Sequence, residues 1–474
     1  MSAWLWTIDD LVAATGGRIK GEAPQGVCGL SIDTRTIKDG EAYLAIKGDV
    51  HDGHKFVAAA RAAGAGLSIV SEAWVDRLEG ETGPLLVVSD VLAAMEQMGI
   101  AARARTNARI VAVTGSVGKT STKEALRHAL EPSGQVHAAV ASFNNHWGVP
   151  LTLARMPQET DFGVIEIGMN HPGEITPLVQ MARPHVVIIT NVAAVHLGAF
   201  NSVDEIALAK SEIFAGLEPG GTAVLNADDE RLSIMESEAA RYGVENIVRF
   251  GAAESADARS LKVVLHGSCT CLTTNILGDE MVVKVGTPGA HIAQNCLAVL
   301  AASRLLGADL AKAGLALADM KAVKGRGERH LLDFKGGKLL LIDESYNANP
   351  TSMRAAIELL AVAPVKGRGR RVAVLGDMLE LGPTSRDLHA GLADDLKDRK
   401  IDHVFTVGPH MVSLFDALKG SVSCDHADTI DDAVPEILSG LQPGDAVMAK
   451  ASLGTRFAVL INKLTETDRP TGGG

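Results

Sequence analysis

The stretch Arg109-Ile110-Val111-Ala112-Val113-Thr114, running straight into Gly115-Ser116-Val117-Gly118-Lys119-Thr120, constrains this chain more than any other segment. A short apolar run rich in β-branched residues predicts a buried strand, and the glycines after it predict a tight turn into a helix. Buried strands joined through helices belong to parallel sheets with helices on their faces. The glycines also let backbone N–H groups point inward at phosphate oxygens, and the helix N-terminus adds a favourable dipole. Lys119 supplies a point charge to the β- and γ-phosphates, and the Thr120 hydroxyl is a hard ligand for Mg²⁺. Val113 stands where the full GxxxxGK[ST] pattern has its first glycine. An ordinary Gly-rich turn would not need strand, glycines, Lys119 and Thr120 in this order. The segment therefore predicts a nucleoside triphosphate site, with ATP and GTP both open and the fate of the nucleotide undetermined.

At 474 residues the chain is too long for one hydrophobic core. It divides into three blocks, 1–105, 106–324 and 325–474. The first mixes short apolar runs with Gly-rich turns; Leu85–Val88 reads as a buried strand and Ala93 to Arg105 as a helix leading out. In the second, strands are expected at Gly163–Ile167, His185–Thr190 and Thr222–Leu225, separated by helix-length segments, as in a parallel sheet. Residues 262–285 read instead as antiparallel strands turning at Gly278-Asp279, followed by a helix from Asn295 to Leu306. The third block alternates again, with strands at Lys338–Asp343, Arg371–Leu375, His403–Val407 and Ala446–Ala449. Its layout is Rossmann-like, but no GxGxxG follows its first strand, which argues against a dinucleotide there. The expected fold class is thus α/β with three domains.

A formal net charge of −12 argues against a general nucleic-acid or anionic-membrane binder. No run of 18 apolar residues predicts a membrane span, and Met1 to Gly17, with Asp9 and Asp10, does not read as a signal peptide. Five cysteines without CxxC pairing read as free thiols in a reducing cytoplasm. Cys269 and Cys271, two apart, fall on one face of a strand, where packing is favoured over metal binding. Arg469 to Gly474 reads as a disordered tail.

The loop Thr114-Gly115-Ser116-Val117-Gly118-Lys119-Thr120, continued by Ser121-Thr122-Lys123, resembles that of the Mur ligase family, and the resemblance runs on in order. Ser142-Phe143-Asn144-Asn145-His146-Trp147-Gly148-Val149-Pro150 is similar to the family's N-x-x-G-x-P segment. Glu166 matches its metal-binding glutamate, Asn191 and His196 its next motif, and Lys210 its carbamylated lysine. His291 and Asn295 resemble the adenine-contacting motif, and Arg326 the interdomain arginine. Asp343 to Pro350, Leu375 to Gly382, Asp33-Thr34-Arg35 and Asp52-Gly53-His54 resemble the branch that adds D-alanyl-D-alanine. One departure stands out: where many relatives have K-x-S-R, this chain has Lys450-Ala451-Ser452-Leu453, with Arg456 three residues on as a possible replacement.

The resemblance implies ATP-dependent amide formation through an acyl-phosphate, joining D-Ala-D-Ala to UDP-N-acetylmuramoyl-tripeptide in the cytoplasm, by a monomer. It implies ATP contacts from Thr114 to Ser121 and at Asn295, Arg326 and Asp343. Mg²⁺ would be held by Thr120, Glu166, His196 and a carbamylated Lys210, and substrates by Thr34, Arg35, Asn145 and Asp377. Lys119, Lys210, His196 and Arg326 would carry the catalysis. Taken singly, His196 reads as a satisfied histidine, Lys210 as a solvated lysine between Glu205 and Glu212, and Asp377 as a helix cap. Glu166, at the end of an apolar strand, is harder to dismiss, because an unpartnered buried carboxylate is costly. Three rivals remain in view: a sister ligase adding the third residue, a folylpolyglutamate synthase, and a P-loop switch without ligase activity. Against the first stands the lack of a D-N-P-R or D-D-P-R motif; a GTPase would want N-K-x-D or T-K-x-D, and neither is present. The residue closing the tripeptide, lysine or diaminopimelate, stays open.

Overall fold

The structure, a computed structural model, describes residues 4–78, 83–195 and 198–466. Its three α/β units each have a sheet of their own. In the first unit the order is Arg18–Lys20, Leu85–Val88, Leu67–Ser71, Ala42–Leu44, Leu30–Ser31, parallel except for the outermost Arg18–Lys20. The exit helix spans Val91–Ala104, and Asp90 caps it by accepting from the Ala93 N–H.

The central sheet has nine strands. Arg109–Thr114 lies deep within it, paired in parallel with Phe162–Glu166 on one side and Val186–Ile189 on the other. Thr222–Asn226 and Asn246–Gly251 continue the parallel part, and Val136–Ala138 closes its far edge. Ala258–Leu265 adds in parallel, and Thr270–Ile276 and Asp279–Val285 then extend the sheet antiparallel. The hairpin turns at Leu277-Gly278, one residue before the expected position. Both turn residues have positive φ (52° and 98°), as a two-residue hairpin requires, and a leucine there hides the signal. The following helix covers Ala290–Leu305, starting earlier than Asn295 because its first turn has no side-chain cap to announce it.

In the third unit the order is Glu328–Phe334, Gly337–Glu344, Ala446–Lys450, Arg371–Gly376, His403–Val407, Ser423–Ala427, parallel beyond the first hairpin. Glu328–Phe334 and Ser423–Ala427 went unpredicted: both are edge strands whose polar residues break up any apolar run.

The first two units are welded together. The first unit's core, with Trp6, Leu44 and Met98, takes in Leu151 and Ala154 from the central helix Gly148–Ala154. Trp6 Nε1 donates to the Ala154 carbonyl at 2.8 Å, and the Arg105 guanidinium lies 3.7 Å over the Trp6 ring. Arg155 donates to the Leu30 carbonyl and Arg103 to those of Ala182 and Arg183, each at 2.8 Å. All five cysteines are free, and burial pushes the Cys296 thiol up to about 12. No described helix is long and apolar enough to cross a membrane.

Candidate active site

Open parallel sheets bind ligands beyond the carboxyl ends of their strands. Here the carboxyl ends of the central sheet (Thr114, Glu166, Asn226) and of the third sheet (Glu344, Lys450) face each other. Between them lies a cavity of about 380 Å³ lined by the phosphate loop, Asn295, Arg326 and Tyr346, among others.

The loop is shaped by contacts that leave no room for side chains. Gly115 has φ +148°, and a Cβ there would lie 1.9 Å from Thr190 Oγ1. That hydroxyl donates to the Val117 carbonyl at 2.6 Å. Asn191 accepts from the Val117 N–H through Oδ1 and from the Ser116 N–H through its carbonyl, both at 2.9 Å. Gly118, at φ +87°, opens the helix Lys119–Leu130, and a Cβ there would meet Asn295 Nδ2 at 2.5 Å. Lys119 Nζ donates to the Gly115 carbonyl at 2.7 Å. Burial lowers its pKa; Glu166 opposes that shift and Arg326 adds to it.

Beneath the loop is a compact group of hard oxygen donors. Thr120 Oγ1 donates to Glu166 Oε1 at 3.0 Å and lies 3.2 Å from Ser142 Oγ, while Asn144 Nδ2 donates to Glu166 Oε1 at 2.8 Å. Glu166 is only 2% exposed, and its buried Oε2 has no hydrogen-bond partner among the described residues. An unsatisfied buried carboxylate oxygen beside two hydroxyls fits a small divalent cation. Lys210 is also 2% exposed, which rules out the solvated reading. Its sequence neighbours point elsewhere: Glu205 holds Asn201, and Glu212 accepts from the Gly173 and Thr176 N–H groups. Burial, with the charge of Lys119 added, holds the Lys210 pKa well below that of an ordinary lysine. His196 lies outside the described residues.

Across the cavity, the Arg326 guanidinium stacks 4.1 Å from the Tyr346 ring, and its buried Nε lacks a partner among the described residues. Lys450 Nζ donates to Glu344 Oε2 at 3.2 Å and to the Asn347 carbonyl at 2.9 Å. His291 opens onto the same cavity, and the protein around it lowers its pKa by desolvation. Ser142, Asn144, Asn191, Glu344 and Lys450 enter the sequence reading only within motifs; for Asn191, Glu344 and Lys450 the signal for a role is their position at or just past strand ends.

Other predicted residues are placed differently. Asn145 lines the cavity and also caps the helix Gly148–Ala154 by accepting from the Trp147 and Gly148 N–H groups. Asp343 lies behind the cavity wall, where Oδ1 accepts from the Ser345 N–H at 2.9 Å; its neighbour Glu344 forms the wall. Arg35 is exposed and paired with Asp33 at 2.7 Å, next to Thr34, and neither Thr34 nor Arg35 lines this cavity. His54 is buried, bonded to Asp52 at 2.6 Å and stacked 5.1 Å from Trp74, so that turn pins its own domain. Arg456 points to Asp431 at 3.1 Å on the surface.

Asp377 is buried and accepts from the His410 and Met411 N–H groups through Oδ1 (3.1 and 3.0 Å), making it a cap of the turn Pro409–Met411. Burial raises its pKa, with His410 and His389 opposing. A carboxyl with a raised folded-state pKa contributes fully below its unfolded pKa, and that contribution is lost as pH rises through the folded pKa. Asp377→Asn keeps the accepting oxygen and removes the charge. The variant is therefore expected to match or exceed the parent's thermal stability at neutral pH, with the advantage fading below the unfolded pKa. A fall in stability at neutral pH, or a raised KM for an amine substrate without one, would contradict the capping role.

Comparison with known proteins agrees with this geometry. Family models described as the Mur ligase catalytic domain, middle domain and glutamate ligase domain match residues 27–105, 113–303 and 326–453. The UDP-N-acetylmuramoyl-tripeptide--D-alanyl-D-alanine ligase of Escherichia coli is 37% identical, over 85% of this chain and 86% of its own. A crystal structure of MurF from Acinetobacter baumannii superposes with a TM-score of 0.83 at 32% identity, covering 97% of this chain and 99% of that one. The MurF ligase of Thermotoga maritima, solved in complex with ADP, gives a TM-score of 0.73 at 25% identity, covering 93% and 97%.

Proposed function

The chain belongs to the Mur ligase family, and from that premise we propose that it joins D-alanyl-D-alanine to UDP-N-acetylmuramoyl-tripeptide at the expense of ATP, making the pentapeptide precursor of peptidoglycan. The observation that carries this reading is a ligase of that name at 37% identity over 85% of the chain, together with a phosphate loop facing the third unit across one cavity. The working unit is a cytoplasmic monomer of three domains, 1–105 for the UDP-sugar, 106–324 for ATP and 325–474 for the dipeptide.

A carboxylate does not condense with an amine in water at a useful rate, so the tripeptide carboxylate takes the γ-phosphoryl group of ATP and becomes an acyl-phosphate. The dipeptide amine then attacks the acyl carbon, and phosphate leaves from the tetrahedral intermediate. Both steps concentrate negative charge, so fixed cations carry much of the work. Lys119 and Arg326, from opposite walls, neutralise the transferring group; the loop N–H groups orient the β- and γ-phosphates. Thr120, Glu166 and a carbamylated Lys210, with His196, would hold Mg²⁺, which neutralises phosphate charge when bound. Because Lys119 and Arg326 belong to different units, closure of the third unit completes the site.

The test is ADP release from purified protein given Mg-ATP, with the UDP-tripeptide and D-Ala-D-Ala both present and each left out in turn. Turnover that needs both acceptors and yields pentapeptide is the expected result. ATP turnover indifferent to either one would leave only a nucleotide-binding module.

A further inference from the structure

A groove of about 750 Å³ lies between the helices Val91–Ala104 and Ile175–Ala182, so its walls come from the first two units. Arg103 ties the C-terminal ends of these helices together through the Ala182 and Arg183 carbonyls, which holds the walls at a fixed spacing. The groove shares Gly168, Asn170 and Glu174 with the nucleotide cavity. It therefore opens on the side of that cavity where Glu166 lies.

Its lining combines two kinds of surface. Ile100, Leu178 and Met181 are apolar, and Ile100 is 43% exposed. Glu96 and Glu174 bring carboxylates, and no lysine or arginine lines the groove among the described residues. Glu174 is already engaged: Oε2 accepts from the Asn170 N–H at 2.7 Å, and Oε1 lies 3.0 Å from His171 Nδ1. Glu96, half-buried on the facing helix one turn before Ile100, has no hydrogen-bond or ion-pair partner among the described residues. An apolar channel with an open carboxylate suits a long aliphatic side chain that ends in an ammonium group. The stem lies along the apolar wall, and the cation meets the acid.

We propose that this groove receives the side chain of the tripeptide's third residue and that Glu96 selects it by binding its terminal ammonium. This rests on the UDP-tripeptide being the carboxylate substrate. The choice of occupant follows from charge. The diphosphate and carboxylates of that substrate are anions, and the side-chain amine of its third residue, lysine or diaminopimelate, is its one cation. A groove with two carboxylates and no lysine or arginine attracts that amine and repels the rest of the molecule. The carboxylate to be activated belongs to the same residue. Seating the side chain in the groove therefore holds that carboxylate toward the adjoining nucleotide cavity, where the γ-phosphoryl group is transferred.

The experiment measures KM for three UDP-tripeptides, ending in lysine, diaminopimelate or Nε-acetyl-lysine, in wild type, Glu96→Gln and Ile100→Trp. Glu96→Gln is expected to raise KM for the amine forms by about 5- to 10-fold, a charged hydrogen bond discounted for partial exposure. Its KM for the acetylated form, which lacks the cation, should match that of wild type, and KM for ATP should stay within about twofold. A rise confined to one amine form also supports the assignment and names the residue the groove selects. Ile100→Trp adds bulk at an exposed position, and it should raise KM for all three tripeptides while sparing ATP. Unchanged KM for both amine forms in Glu96→Gln, an equal loss there for the acetylated form, or unchanged tripeptide KM in Ile100→Trp overturns the assignment. Wild-type ATP turnover that ignores every tripeptide would instead overturn the reading on which it rests.

Discussion

Lys210→Met should lower kcat by about 10³-fold, the scale seen when one preorganised charge-stabilising group is removed, while leaving the protein folded. Methionine nearly matches lysine in length and suits a buried site, so packing is largely kept. What is lost is a buried amine whose pKa is driven far down by desolvation and by Lys119. Only a neutral amine adds to CO₂, and the carbamylation proposed above would replace that amine with an anion that attracts Mg²⁺. Wild-type activity should accordingly fall in CO₂-depleted buffer and return with bicarbonate, whereas Lys210→Met should respond to neither. Turnover within tenfold of wild type, or a wild-type rate indifferent to CO₂, would remove Lys210 from the mechanism. The sign for stability follows from the same shift. A lysine depressed in the folded state makes stability rise with pH between its folded and unfolded pKa values. Lys210→Met should flatten that slope, as denaturant titrations at several pH values would show.

Gly115→Ala should be nearly as damaging by a different route. The new methyl would lie 1.9 Å from Thr190 Oγ1, at a φ of +148° that alanine resists. Backbone strain and overpacking each cost about 1–3 kcal/mol. Relief by moving Thr190 would break its 2.6 Å bond to the Val117 carbonyl, which helps set the loop's curvature. ADP affinity should drop by at least about tenfold if even 1.4 kcal/mol of this falls on the binding-competent loop, with a lower melting temperature. An ADP titration giving wild-type affinity would mean that the loop reshapes freely.

Much of the fold could be read because buried parallel strands are written as β-branched runs. His403–Val407 and Leu85–Val88 lie where expected, and the central strands differ by a residue at their ends. The misses share a cause, since burial and backbone conformation depend on partners far along the chain. Leu277 accepts positive φ because its hairpin demands it; Glu328–Phe334 becomes a strand because Gly337–Glu344 lies beside it. The loop and Glu166 were legible through local order. Asp377, conspicuous in its motif, proved to cap a turn 33 residues on, which no spacing could reveal.

The shared core around Trp6, Leu151 and Ala154 means that this three-domain chain should melt as two cooperative blocks. Cutting near residue 105 would expose an apolar face on both fragments and strip Trp6 of its carbonyl partner. A protease should therefore nick first around the 324–327 junction, which no such core covers. The third unit is the piece free to be released, exchanged or grafted, whereas the first survives only in the company of the second.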